Sequence, residues 1–296
     1  MKRLLRRQIL TCIPFVLFAS LYPFCKKQTD GFAVSKIIST LPLDHSFAPA
    51  PLANEEMKLF QKIFSEPFYY LGKGAQCFAF SSCDDQYVIK FFRFDHLEPG
   101  ILYTKGPLPS FLQEKKKNKI DRSKKKINQT FLSYQFAYDH IKQETGLVYL
   151  HLQPTDNLNT NITFFDKIGV KHSLSLDNIP FLIQKKAEPF YPTIKHMIAS
   201  GQQENVKDLI SKLIRYLKDR SCHGMYDKDP AIIRNFGILH GNILQIDVGR
   251  FLYDPSRRQS QVYIDDIKRA TDRFNIWLLS VDPDLSLHLQ REINSL

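Results

Sequence analysis

Two short apolar runs, Phe236 to Leu239 and Ile243 to Ile246, are separated only by His240-Gly-Asn242. So short a gap, carrying Gly and Asn, leaves little besides a β-hairpin, because those residues accept the backbone angles a tight turn requires. A hairpin here places Asn235 and Asp247 together at its open end, with Asp227 and Asp229 just upstream. An amide beside a carboxylate, with further carboxylates at hand, is a hard-oxygen set suited to Mg2+ and a phosphorylated ligand. The same residues could finish an ordinary hairpin with polar ends. The remainder of the chain has to decide between the two.

At 296 residues, 43% hydrophobic and 24% charged, the chain can bury a substantial core, and wholesale disorder is excluded. Its net charge of +11 is concentrated in two segments. Lys2, Arg3, Arg6 and Arg7 open the chain, and Lys115, Lys116, Lys117, Lys119, Arg122, Lys124, Lys125 and Lys126 crowd one stretch. That second run is a candidate contact for an anionic surface. No aromatic residue interrupts it, so it carries no specific nucleic-acid signal. Five cysteines without CxxC spacing support neither a zinc site nor a disulfide framework.

Residues 1–27 combine a basic start with an apolar run from Ile9 to Phe24, closed by Cys25-Lys-Lys27. As a helix that run reaches about 24 Å, short of the ~30 Å hydrocarbon core, which suits a signal peptide or a tight anchor. The expectation is a membrane-associated or exported protein, with the side of the membrane left open. Residues 28–54, rich in Pro, Ser and Ala, read as a linker, and a helix is expected from Asn54 to Ser65.

Phe68 to Phe80 then reads as strand, glycine turn, strand. Gly72 and Gly74 offer backbone N–H groups with no Cβ in front of them. A third strand, Gln86 to Phe92, carries Lys90 among apolar neighbours. The glycine turn followed by Val-Ile-Lys90 resembles the nucleotide-binding lobe of the protein-kinase-like superfamily, and Asn235 and Asp247-Val-Gly249 resemble its two metal-holding elements. This resemblance covers roughly residues 65–250. It implies an α+β, two-lobed kinase-like fold: a β-rich N-lobe over 55–188, with a basic insertion at 95–127, and a reduced helical C-lobe over 189–296. It implies ATP and Mg2+ as cofactors, with Gly72, Gly74 and Lys90 on the nucleotide phosphates and Asn235 and Asp247 on the metal. Asp229, or second Asp227, would orient an acceptor hydroxyl.

The chain departs from that pattern in several places. Cys77 replaces the third loop glycine, and the usual His-Arg-Asp triplet is missing. Its aspartate should precede the asparagine by five residues, whereas Asp229 lies six before Asn235 and Asp227 lies eight. Where the family's helix supplies a glutamate to the lysine, this chain offers Gln135, Asp139 and Glu144, a choice the sequence leaves open. Most of the usual lower lobe is absent after Gly249. These departures put an atypical phosphotransferase of unknown acceptor beside a catalytically inactive, membrane-tethered pseudokinase scaffold. The 95–127 insertion reads as a solvated loop. Strong amphipathic helices are expected at Val206–Leu217 and around Val262–Leu279.

Overall fold

The computed structural model describes residues 21–47 and 52–296. In chain order the strands are β1 (Phe68–Lys73), β2 (Cys77–Ser82), β3 (Tyr87–Phe92), β4 (Leu147–His151), β5 (Asn161–Phe165), β6 (Lys171–Ser175), β7 (Phe181–Lys185), β8 (Glu188–Pro189), β9 (Met225–Asp227), β10 (Phe236–Leu239), β11 (Asn242–Gln245) and β12 (Phe251–Tyr253). The longer helices are α1 (Asn54–Ile63), α2 (Gln113–His140), α3 (Phe190–Ala199), α4 (Gln203–Cys222), α5 (Ser260–Val281) and α6 (Pro283–Asn294). The chain forms two compact units. One takes residues up to 120 together with 151–181, and the other takes 121–150 together with 182–296. The class is mixed, with an extensive sheet in the first unit and most of the helix in the second.

In the first unit the strand order is β3-β2-β1-β5-β6. β1, β2 and β3 form an antiparallel meander, β5 joins β1 in parallel, and β6 returns antiparallel to β5. Alternation of bulky apolar side chains buries Phe78, Phe80, Phe91 and Phe164 completely. Phe32 seals this cluster. Its ring stands edge-on to Phe78, Phe80 and Phe164 at centroid distances of 5.1, 5.4 and 5.8 Å.

The described part of 28–54 is therefore no free linker, as the sequence had suggested. Phe32, Ile37, Leu41 and Phe47 are all buried. Asp30 accepts a hydrogen bond from the Tyr70 hydroxyl and pairs with Lys167, while its carbonyl takes one from Lys73. Further on, Glu98 gathers the Thr40 N–H and the Ser39 and Thr40 hydroxyls. Irregularly spaced apolar residues among Pro and Ser carry no helical or strand period, yet each of these four is buried, Phe32 against the sheet.

The expected loop at 95–127 is also corrected. From Gln113 its lysine-rich part is helix, continuous with the amphipathic stretch that buries Ile127, Phe131, Tyr134 and Ala137. Lys, Gln and Glu are good helix formers, and neither Gly nor Pro occurs from 113 to 140, so a buried C-terminal half can carry a solvated N-terminal half.

In the second unit α4 buries Val206, Leu209, Ile210, Leu213, Ile214 and Leu217 on one face, as its period predicts. α5 and α6 pack on it and on each other, burying Phe274, Leu278, Leu285 and Leu289. β10 and β11 form the expected hairpin, with Phe236 opposite Gln245 and Leu239 opposite Asn242. Its two-residue turn is His240-Gly241, both at positive φ (+49° and +72°), as the right-handed twist of paired strands favours. β8 extends this sheet beside Gly237, where a Cβ would stand 2.7 Å from the Ala187 methyl.

The apolar run Ile9–Phe24 lies largely outside the described residues. Among the described residues no helix is long and apolar enough to cross a membrane.

Candidate functional site

The open end of the β10–β11 hairpin is organised by backbone first. The Asn235 carbonyl accepts from the Ile246 N–H at 2.7 Å and the Asp247 N–H at 3.4 Å, so the two residues are fixed side by side. β9 pairs with β12, placing Asp227 opposite Phe251 and closing the acidic loop onto the segment that follows Gly249. The Asn235 side-chain amide donates to the Asp229 carbonyl, and the Asp229 N–H donates to Asp227 Oδ1 at 2.9 Å. Asp227, Asp229, Asn235 and Asp247 thus belong to one hydrogen-bonded group.

Their side chains differ in setting. Asp227 and Asn235 are buried, each 4% exposed, whereas Asp229 and Asp247 are half-buried. Burial pushes the Asp227 carboxyl up to about 6, against the pull of Arg220 and with a smaller upward push from Asp247. Asp229 is flanked by Arg234 at 3.4 Å and Arg250 at 3.7 Å. Asp247 Oδ1 accepts from the Gly249 N–H at 3.2 Å.

Gln245, a residue the sequence reading passed over, is the hub of this group. It is fully buried. Its Oε1 accepts from the Tyr216 hydroxyl at 2.6 Å and from Arg220 Nη1 at 2.9 Å. Its Nε2 donates to Asp227 Oδ2 at 2.8 Å and to the Asp247 carbonyl at 3.2 Å. One amide therefore ties α4 to both acidic positions. The single available signal was a polar residue inside an apolar run.

Ser133 on α2 is a second support. Its hydroxyl donates to the Val248 carbonyl and accepts from the Phe251 N–H, spanning the loop after Asp247. Gln135 and Asp139, considered as partners for Lys90, bond to each other at 3.0 Å, and Glu144 is exposed.

The remaining expected residues belong to the first unit. Gly72 pairs with Ala79 in β2, and Ala79 pairs with Lys90 in β3. The three lie in one row across the sheet, so their side-chain positions share a face. Lys90 is half-buried, and on the β2 and β1 side of it that row carries the Ala79 methyl and the bare backbone of Gly72. The turn is firmly held: the Gly74 N–H donates to the Cys77 carbonyl at 2.8 Å, and the Gly74 carbonyl accepts from Arg93 at 2.9 Å. Among the described residues a Cβ at Gly72 would meet nothing within 4 Å, and one at Gly74 only the Cys77 carbonyl, at an ordinary 3.8 Å. Neither glycine has a positive φ. Local packing and backbone conformation therefore do not demand glycine at either position.

No protein-family model matches the chain, and no curated protein matches it. Among solved structures, the bifunctional kinase-methyltransferase WbdD aligns over 75% of this chain at 14% identity and a TM-score of 0.36. The Rv3197–erythromycin complex from Mycobacterium tuberculosis aligns over 95% at 15% identity and a TM-score of 0.35. The alignment spans 43% of the WbdD chain and 75% of the Rv3197 chain. Likenesses at these scores do not assign a fold family.

Proposed function

We propose that the chain is an atypical ATP- and Mg2+-dependent phosphotransferase of protein-kinase-like type. The observation that carries the reading is the convergence of Asn235, Asp247 and Asp229 at the open end of the β10–β11 hairpin. The donor set suits magnesium. The Asn235 amide nitrogen is committed to the Asp229 carbonyl, which leaves the amide oxygen as the group that would serve as a ligand together with the Asp247 carboxylate. Mg2+ takes one or two protein oxygens and completes its shell with water and phosphate. Among the described residues no group of three or more His, Cys, Asp and Glu is placed to hold a metal, so a cation here would depend on a phosphate for further ligands.

Bound Mg2+-ATP would supply the phosphoryl group. The chain's own residues would position it. Asn235 and Asp247 would hold the cation, Lys90 would neutralise phosphate oxygens, and the backbone N–H groups at Gly72 and Gly74 would donate to them. The half-buried Asp229 orients an acceptor hydroxyl and takes its proton at the carboxylate. Asp227 is too deeply buried for that role, and it fixes the loop through the Asp229 N–H.

One observation favours a second reading, a nucleotide-binding scaffold that transfers nothing: Asp229 stands one residue further from Asn235 than the resemblance calls for and is engaged by two arginines. Thermal-shift and transfer assays separate the two. ATP should raise the melting temperature only with Mg2+ present, and Lys90→Ala and Asp247→Ala should each abolish the shift. Asp229→Ala should keep the shift and lose transfer of labelled phosphate to an acceptor pool. A shift without transfer in the native chain selects the scaffold, and no shift with either nucleotide or metal overturns both readings.

A further inference from the structure

We infer that the N-terminal half of α2, with the turn that precedes it, is a docking surface for an anionic lipid bilayer. Two independent features meet there. The first is charge: between Gln113 and Lys126 the helix carries eight basic side chains against two acids, Glu114 and Asp121. Lys115, Lys117, Arg122, Lys124, Lys125 and Lys126 are exposed. Of the eight, Lys115, Lys116, Lys117 and Lys119 share the first unit with the turn that precedes the helix, and they are held at helical spacing, not dispersed along a loop.

The second feature is apolar. Ile101, Leu102 and Phe111 are 70%, 59% and 79% exposed, well beyond what a solvated connection needs. They are not on a loose strand of chain. Lys119 lies 3.9 Å from the centroid of the Tyr103 ring, Lys116 donates to the Gly106 carbonyl, and Gln113 donates to the Leu108 carbonyl at 2.7 Å. These contacts lock the 101–111 segment to the first turns of α2. The segment that bears the three apolar side chains is thereby joined to the turns of α2 that bear Lys115 and Lys117.

Lysines beside exposed aliphatic side chains match a bilayer surface, where the ammonium groups meet anionic headgroups and the apolar tips enter the acyl boundary. Seven of the eight basic residues are Lys. A lysine is a hydrated point charge without the guanidinium fork that reads a particular phosphate or base, so the partner is a diffuse anionic field. Ile101 and Leu102 have no stacking role on nucleic acid.

The test uses the full chain and phosphatidylcholine vesicles with or without about 30% phosphatidylserine, in the charge range where basic segments respond. The quantity read is the gain in partitioning due to phosphatidylserine, which discounts any contribution from the apolar run near the N-terminus. The native chain should show a gain that falls with salt. Lys115→Gln, Lys117→Gln and Lys125→Gln together should reduce it roughly a hundredfold, and the corresponding Arg variants should retain it. Ile101→Ser, Leu102→Ser and Phe111→Ser together should also weaken partitioning. All these side chains are solvent-facing, and an unchanged melting temperature verifies the fold of each variant. No gain with phosphatidylserine, or a gain unaffected by the Gln variants, overturns the proposal. So does lysine-dependent binding of a short RNA that is tighter than vesicle binding and indifferent to the Ser variants.

Discussion

Replacing Gln245 by Leu tests the support of the acidic site most directly. Leu has a similar volume and keeps the β11 backbone, but it removes four hydrogen bonds, three of them to buried groups. The Tyr216 hydroxyl, an Arg220 N–H and an Asp227 oxygen are left without that partner inside the second unit. Each stranded polar group costs about 1–3 kcal/mol. Arg220 already stands 3.9 Å from Asp227 and can close on it, recovering part of one term. The net loss should be roughly 3–5 kcal/mol, a large fraction of the ~5–15 kcal/mol that holds a typical domain. With a urea slope near 2 kcal/mol/M, the unfolding midpoint should fall by about 2 M. The protein's single tryptophan, Trp277, lies on α5 with its ring 4.7 Å from Tyr191, so its fluorescence reports unfolding of this unit. Gln245→Glu is the companion variant. It keeps an acceptor for Tyr216 and Arg220 but sets a carboxylate against Asp227, so its deficit should shrink as pH falls below about 6, where Asp227 takes up a proton. A midpoint shift under about 0.5 M for the Leu variant would refute the claim that this amide holds the site together.

Three further outcomes follow from the same geometry. The Asp227 carboxyl titrates near 6 in the fold against 3.8 as the ordinary value, so the folded state holds its proton more tightly. Its contribution favours folding below 3.8 and is lost between 3.8 and about 6, by roughly 3 kcal/mol from the size of the shift. Asp227→Asn should flatten that fall in a series of urea melts across pH, and an unchanged slope would count against the burial argument. Phe32→Ala should open a cavity among Phe78, Phe80 and Phe164 at a cost of about 3–5 kcal/mol, seen as faster hydrogen exchange in β1, β2 and β5. Gly237→Ala should push its new methyl into Ala187 and the Glu188 carbonyl, freeing β8 and lowering the Trp277-detected melt by about 1–3 kcal/mol.

What could be read from the sequence was whatever repeated with a period or was bounded by a turn. The β10–β11 hairpin was legible because Gly241 interrupts two apolar runs, and α4 because Val206, Leu209, Leu213 and Leu217 recur at helical spacing. Residues 28–47 were not, since Phe32, Ile37, Leu41 and Phe47 follow no regular interval and only the tertiary fold shows what each covers. The first half of α2 was hidden for the opposite reason. It has no apolar face to recur, so propensity and its continuity with the buried half were the only guides. At the site, Asn235 and Asp247 could be paired because the hairpin fixes them locally. The roles of Tyr216, Arg220 and Gln245 depend on side chains meeting from α4 and β11, which nothing in their spacing announces.

Ser133 bears on how freely this part of the sequence can drift. It grips the loop after Asp247 by a backbone carbonyl and a backbone N–H, the two groups that every substitution except proline leaves in place. That grip is therefore indifferent to which side chains stand at Val248 and Phe251, whatever their own packing requires. The constraint is moved to position 133 itself, where a buried group must both give and receive a hydrogen bond in the space of a single hydroxyl. Of the common side chains only threonine could inherit that task. Serine or threonine at this one helical position should thus outlast the residues it holds.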